Sequence, residues 1–238
     1  MEGAVLDELS GPVGERIAEF ASSSPASLVV MSTHSAEVGP GEELGPVTER
    51  VLAESTTPVL LVRPELSLRD WAPHRVLLPH DGSPVTAAGF TPAVHLAERA
   101  ESSLYVLHVA TLGAEPTPGS LPVPPYVDQP HHEWPEWTRE FLERMDVFTD
   151  LPTGLQPRLF LSKGEPAAEI VRFANERSID LIALSWHGSL ELKHARILKK
   201  VILTAPCPVL FSKAPEFEPE QRRGGTIDLR QSGPYLHS

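Results

Sequence analysis

A single cysteine, Cys207, is all that the 238 residues contain, so no disulfide can close within the chain, and a reducing cytoplasm is the expected home. Long apolar runs are missing too. None approaches the roughly 20 residues a membrane span needs. The amino end, MEGAVLDELSG, lacks the basic start of a secretory signal. Positive charge is scarce: 20 Lys and Arg stand against 32 Asp and Glu, for a net charge of −12. Phosphate backbones and anionic lipid repel a surface of that sign, so nucleic acid and membranes are not expected partners. What is present suits a folded protein. Hydrophobic residues make up 41%, enough for an ordinary core. The length fits one large domain or two small ones.

The chain repeats itself. Gly11–Ser35 reads GPVGERIAEFASSSPASLVVMSTHS, and Gly164–Gly188 reads GEPAAEIVRFANERSIDLIALSWHG. Aligned without a gap, Gly11, Ile17, Phe20, Ala21, Leu28, Ser32 and His34 meet Gly164, Ile170, Phe173, Ala174, Leu181, Ser185 and His187. Ile17, Phe20 and Ala21 have helical spacing. The apolar run that follows has the character of a strand buried on both faces of a parallel sheet. Each copy continues with a helix and another strand, in VTERVLAESTTPVLLVRP (Val47–Pro64) and KKVILTAPCPVLFSKAP (Lys199–Pro215). The loop after the Ser-x-His phrase is shorter in the second copy.

Only the second copy has an upstream half. Arg75–Pro79 is a predicted strand, Ser83 a predicted N-cap and Pro84 a first helical residue. That helix should run to about Ala100 and be kinked or split by Pro92. Leu104–Val109 and Arg158–Ser162 are the next strands. Between them lie a proline-rich loop, Gly113–Pro135, and a helix with Trp137, Phe141, Leu142, Met145 and Phe148 on one face. Residues 75–213 thus spell β-α-β-α-β-α-β-α-β, which implies a parallel sheet covered by helices. Residues 11–63 spell only α-β-α-β. The polar segment from Pro215 onward reads as a disordered tail.

The phrases VLLPHDGSP, LYVLHVA, KGEPAAEIVRFA, DLIALSWHGS and APCPVLF, in that order and spacing, resemble the universal stress protein family. The first unit, with SLVVMSTHS, LGPVTERVL and TTPVLLVRP, is similar to the last half of the same domain. The resemblance implies a tandem member with an incomplete first domain. Its fold class is α/β: a doubly wound, Rossmann-like, parallel five-stranded sheet preceded by a partial α-β-α-β copy. The expected divisions are a partial domain at 1–64, a linker at 65–74, a complete domain at 75–213 and a tail at 214–238.

In family members that bind ATP, a carboxylate after the first strand meets the adenosine, and G-x-x-G, nine residues, then G-[ST] cradles the phosphates. The resemblance places nucleotide contacts at Pro79, Asp81, Gly82 and Val109, and at Ser185, His187, Gly188 and Arg196. The phosphate loop departs from the pattern. Ser185 replaces its first glycine, Ala195 and Arg196 stand where G-[ST] is expected, and six residues replace nine. The first copy has Ser32, Ser35, Gly45 and Pro46 at these positions, and Pro46 has no N–H to offer. ATP, ADP or AMP is therefore expected to bind weakly if at all. Glycine matters there because it lets backbone amides approach an anion closely.

Other candidates have plainer readings. His34 and His187 suit turn positions at strand ends. His131 and His132 near Asp128 and Glu133 lack metal-ligand spacing. Cys207, between Pro206 and Pro208, suits a small buried apolar residue. No serine has a positioned histidine and acid, so no enzyme activity is expected. The expected function is a stress-response protein acting by protein association. The alternative is an ATP/AMP-binding sensor using the complete domain. The resemblance implies that Val59–Val62 pairs antiparallel with Val209–Ser212, and the bare edge at Leu28–Met31 is expected to drive dimerisation, as a homodimer, or aggregation. The Gly113–Pro135 loop is expected to be mobile or to fold over the ligand edge.

Overall fold

The computed structural model describes residues 12–23, 28–34, 43–110, 134–149, 151–152, 154–186 and 193–214. The Gly113–Pro135 loop, apart from its last two residues, and the segment beyond Ala214 lie outside them. The chain opens with α1 (Val13–Ser23), β1 (Val29–Ser32), α2 (Pro46–Glu54) and β2 (Val59–Val62). It continues with β3 (Arg75–Pro79), α3 (Pro84–Ala88), α4 (Thr91–Arg99), β4 (Ser103–Ala110) and α5 (Trp134–Thr149). Then come β5 (Arg158–Lys163), α6 (Pro166–Glu176), β6 (Leu181–Trp186), α7 (Lys193–Thr204) and β7 (Val209–Lys213).

Proline starts several of these helices. Pro46, Pro84, Pro92 and Pro166 all occupy the first turn, where a missing N–H leaves no bond unmade. Pro92 also explains why α3 and α4 are separate. Its ring would meet the Ala88 carbonyl in a continuous helix, so α3 stops at Ala88 and the chain restarts at Thr91.

All seven strands share one sheet, in the order β1-β2-β7-β6-β3-β4-β5. Every neighbouring pair is parallel except β2 with β7. There Val59 meets Phe211, Leu60 meets Leu210 and Leu61 meets Val209 in antiparallel register, the strand pairing that the family resemblance implies. The five strands from β7 to β5 form the predicted doubly wound part, and β1 and β2 extend the same sheet.

Alternation along the strands divides the core in two. Leu77, Leu107, Ile182, Leu184 and Phe211 pack with buried residues of α2, α6 and α7. Val76, Leu78, Val106, Leu181, Ala183 and Leu210 pack with those of α3, α4 and α5. Helices on both faces account for the nearly unbroken apolar runs of β3 and β6.

The two copies are not buried alike. Phe173 of α6 is 6% exposed and touches the rings of Tyr105 and Phe160, contributed by β4 and β5. Its counterpart Phe20 in α1 is 44% exposed. Among the described residues, no strand stands beside α1 as β4 and β5 stand beside α6. For the same reason β1 has one sheet neighbour among the described residues, β2, and Val30 is 62% exposed.

Candidate functional site

The chain passes from β3 to β4 on one side and returns through β6 on the other, so the strand order reverses at β3. In sheets of this kind the ligand crevice lies there, outside the carboxyl ends of the strands. The turn after β3 reads His80-Asp81-Gly82-Ser83, and its side chains are tied to its own backbone. His80 Nδ1 accepts the Gly82 N–H at 2.8 Å. Asp81 Oδ1 accepts the Ser83 N–H at 2.9 Å. The Ser83 hydroxyl accepts the Thr86 N–H at 3.2 Å, which caps α3. Gly82 sits at φ 84°, a left-handed conformation that glycine adopts without steric cost.

The electrostatics follow from this wiring. Burial pushes the Asp81 carboxyl up, but the Ser83 amide, His80 and the Ser83 and Thr86 hydroxyls together hold it below the usual carboxylate range. Its side chain is 40% exposed, so an ionised carboxylate reaches solvent at the crevice. His80 is buried, and burial drives its pKa down to about 4, against the opposing pull of Asp81 and with a push from His108. Burial also lowers His108, while its bond to the His80 carbonyl and the Asp81 charge raise it.

These histidines are the feature that the sequence reading missed. His80 and His108 lie at the ends of the adjacent strands β3 and β4, beneath α5. The His80 ring is 5.7 Å from Phe90 and 5.1 Å from Phe141, centroid to centroid. His108 is 5.6 Å from Phe141 and 5.7 Å from Trp137. His108 Nδ1 donates to the His80 carbonyl at 2.9 Å. A signal was available. Leu78 and His80, like Leu104, Val106 and His108, fall on one face in period two, so both histidines continue an inward-facing series.

Pro79, Asp81, Gly82, Val109 and Ser185 all come to this edge, carried by the adjacent strands β6, β3 and β4 and by the turn after β3. Ser185 does not offer its hydroxyl to the crevice. That group is buried against Gly89, between α3 and α4, with no hydrogen-bond partner among the described residues. Helix α7 is already under way at Lys193, so Ala195 and Arg196 fall inside its first turn, with Ala195 in the core and Arg196 exposed. His187 and Gly188 lie outside the described residues, as do His131 and His132.

In the first copy, the Ser-x-His phrase is structural. Ser32 Oγ donates to the His34 carbonyl, and Gly45 N–H and Thr48 Oγ1 donate to the carbonyls of Thr33 and Ser32. His34 is buried, 3.0 Å from Thr33 Oγ1 and 3.5 Å from Glu65. Cys207 is buried as expected, and burial, with the Asp180 charge adding to it, pushes its thiol up to about 12. A cavity of about 320 Å³ lies elsewhere, on the α2–α7 seam, lined by Leu44, Leu52, Leu198, Ile202 and Phe211. None of the residues of the Asp81 edge lines it.

Parallel strands covered on both faces, with an acidic turn where the strand order reverses, define a doubly wound, Rossmann-like protein. The profile of the universal stress protein family matches residues 2–63 and 73–213, and the chain belongs to that family. It is 30% identical over 145 residues to the universal stress protein YxiE of Bacillus subtilis (strain 168), across 58% of this chain and 97% of that protein. A universal stress protein of Methanocaldococcus jannaschii is 26% identical over 155 residues, 60% of this chain and 84% of its own. The crystal structure of a universal stress protein from Archaeoglobus fulgidus DSM 4304 superposes with a TM-score of 0.61 at 19% identity. That superposition spans 84% of this chain and 66% of the archaeal one. Among the described residues, no helix is long and apolar enough to cross a membrane.

Proposed function

We propose that this universal stress protein serves a stress response through protein association, without catalysis, and that its Asp81 edge holds an adenine nucleotide weakly at most. One observation carries the nucleotide side of this reading: the backbone amides of the turn between β3 and α3 are committed to the chain itself. Gly82 N–H goes to His80 and Ser83 N–H to Asp81, leaving neither for an anion. Ala195, packed into the core inside α7, supports it, because a glycine there would have let the backbone approach a phosphate. On this reading residues 75–213 form the complete domain and residues 1–64 a partial one joined by residues 65–74. The association includes self-association through the free edge of β1.

Isothermal titration of the full chain with ATP, ADP and AMP tests the nucleotide side. The expected outcome is binding weaker than micromolar for ATP. Micromolar or tighter binding would overturn the proposal in favour of a nucleotide sensor. That second reading draws support from the partly exposed Asp81 carboxylate, which suits a nucleoside hydroxyl or amine. Asp81→Ala should then abolish most of the affinity.

A further inference from the structure

We infer that His80 is a proton-controlled positioning residue: its neutral ring holds the Asp81-Gly82 turn in place, and protonation releases that turn. Nδ1 accepts the Gly82 N–H at 2.8 Å, so the neutral ring carries its proton on Nε2. A proton taken from solvent must go to Nδ1. An imidazolium has donors at both nitrogens, and two N–H groups would then face each other across the former bond.

The alternatives for the new Nδ1–H are few. Asp81 Oδ1 is 3.9 Å away and already accepts from Ser83. Moving that oxygen onto the imidazolium therefore loosens the Ser83 bond as well. Gly82, at φ 84°, can reorient its peptide with little steric resistance. Nε2 offers no relief, because it is buried with no partner among the described residues. The titratable groups that face the ring are Asp81 on its own turn and His108 on β4. From α5 and the start of α4, among the described residues, the rings of Phe141 and Phe90 pack against it. Burial keeps the ring neutral through the ordinary histidine range, down to about 4, so the turn is released only in distinctly acid surroundings.

Nuclear magnetic resonance of the ¹⁵N-labelled full chain tests this. At neutral pH the His80 ring should carry its proton on Nε2. On acidification the Gly82 and Ser83 amide signals should move with the same midpoint as the ring, well below 6.5 and before far-ultraviolet circular dichroism changes. His80→Asn provides a control, since its side-chain oxygen can accept the N–H two residues on without titrating. In that variant the Gly82 signal should stay flat over the same range. The inference is overturned by a proton on Nδ1 at neutral pH, or by a Gly82 amide that ignores the His80 titration. It is equally overturned by movement that comes only with global unfolding, or by a His80→Asn chain that titrates like the parent. Should that variant not fold, the parent titration decides alone.

Discussion

At Gly89 the room for a methyl group is already taken. A Cβ there would lie 2.8 Å from the Ser185 Cβ and closer still to its hydroxyl. Gly89→Ala should destabilise the protein by roughly 1–3 kcal/mol through overpacking. Ser185→Gly in the same chain should restore most of the loss, as read from urea midpoints. At His80 the relevant variable is pH. Its folded pKa of about 4 lies below the ordinary 6.5, so the folded state favours the neutral ring. The associated stability is complete above 6.5 and is lost as pH falls toward 4, on the order of 3 kcal/mol in all. Asp81, held below its ordinary value, adds a loss only at still lower pH. Guanidinium unfolding at pH 7.5 and 4.5 should reveal the difference, and His80→Asn should flatten it.

Helices α1 and α6 carry the same phrase and give it different worth. Phe173 packs against both members of the Tyr105–Phe160 stack, with the Arg177 guanidinium 4.8 Å from the Phe160 centroid, so Phe173→Ala should cost about 3–5 kcal/mol. Phe20, nearly half exposed, should cost less than about 1 kcal/mol by the same change. Equal costs in denaturant titrations would contradict the packing described. The repeat itself was legible because helical and strand periods survive in both copies, whereas the β2–β7 pairing came from the family resemblance and its register from the structure alone. The separation of α3 from α4 was legible because Pro92 leaves little choice. Two things were not. Ser185 looked like a phosphate-loop residue, and only the approach of Gly89 reveals which way its hydroxyl points. The histidine pair sits at the end of β3 and within β4, among mostly apolar neighbours, and no short-range spacing links position 80 to 108. Their meeting depends on the parallel pairing of β3 with β4.

For the whole molecule, the free edge of β1 is the feature to probe. Val29–Ser32 carries no charge, and Val30 is largely exposed on the edge that no described strand pairs. A second copy can pair there about a two-fold axis without bringing like charges together. Light scattering of the full chain should find dimers whose population rises with concentration, and Val30→Lys should return them to monomers. A monomer at high concentration would remove this part of the proposal.

The antiparallel seam between β2 and β7 has a consequence of another kind. It turns the first copy end over end, so the His34 end of β1 and the Asp81 end of β3 open on opposite rims of one sheet. Anything small enough to sit at one rim is out of reach of the other. A partner that touched both would have to wrap around the sheet, and a filament built through both rims would run along the strands rather than across them.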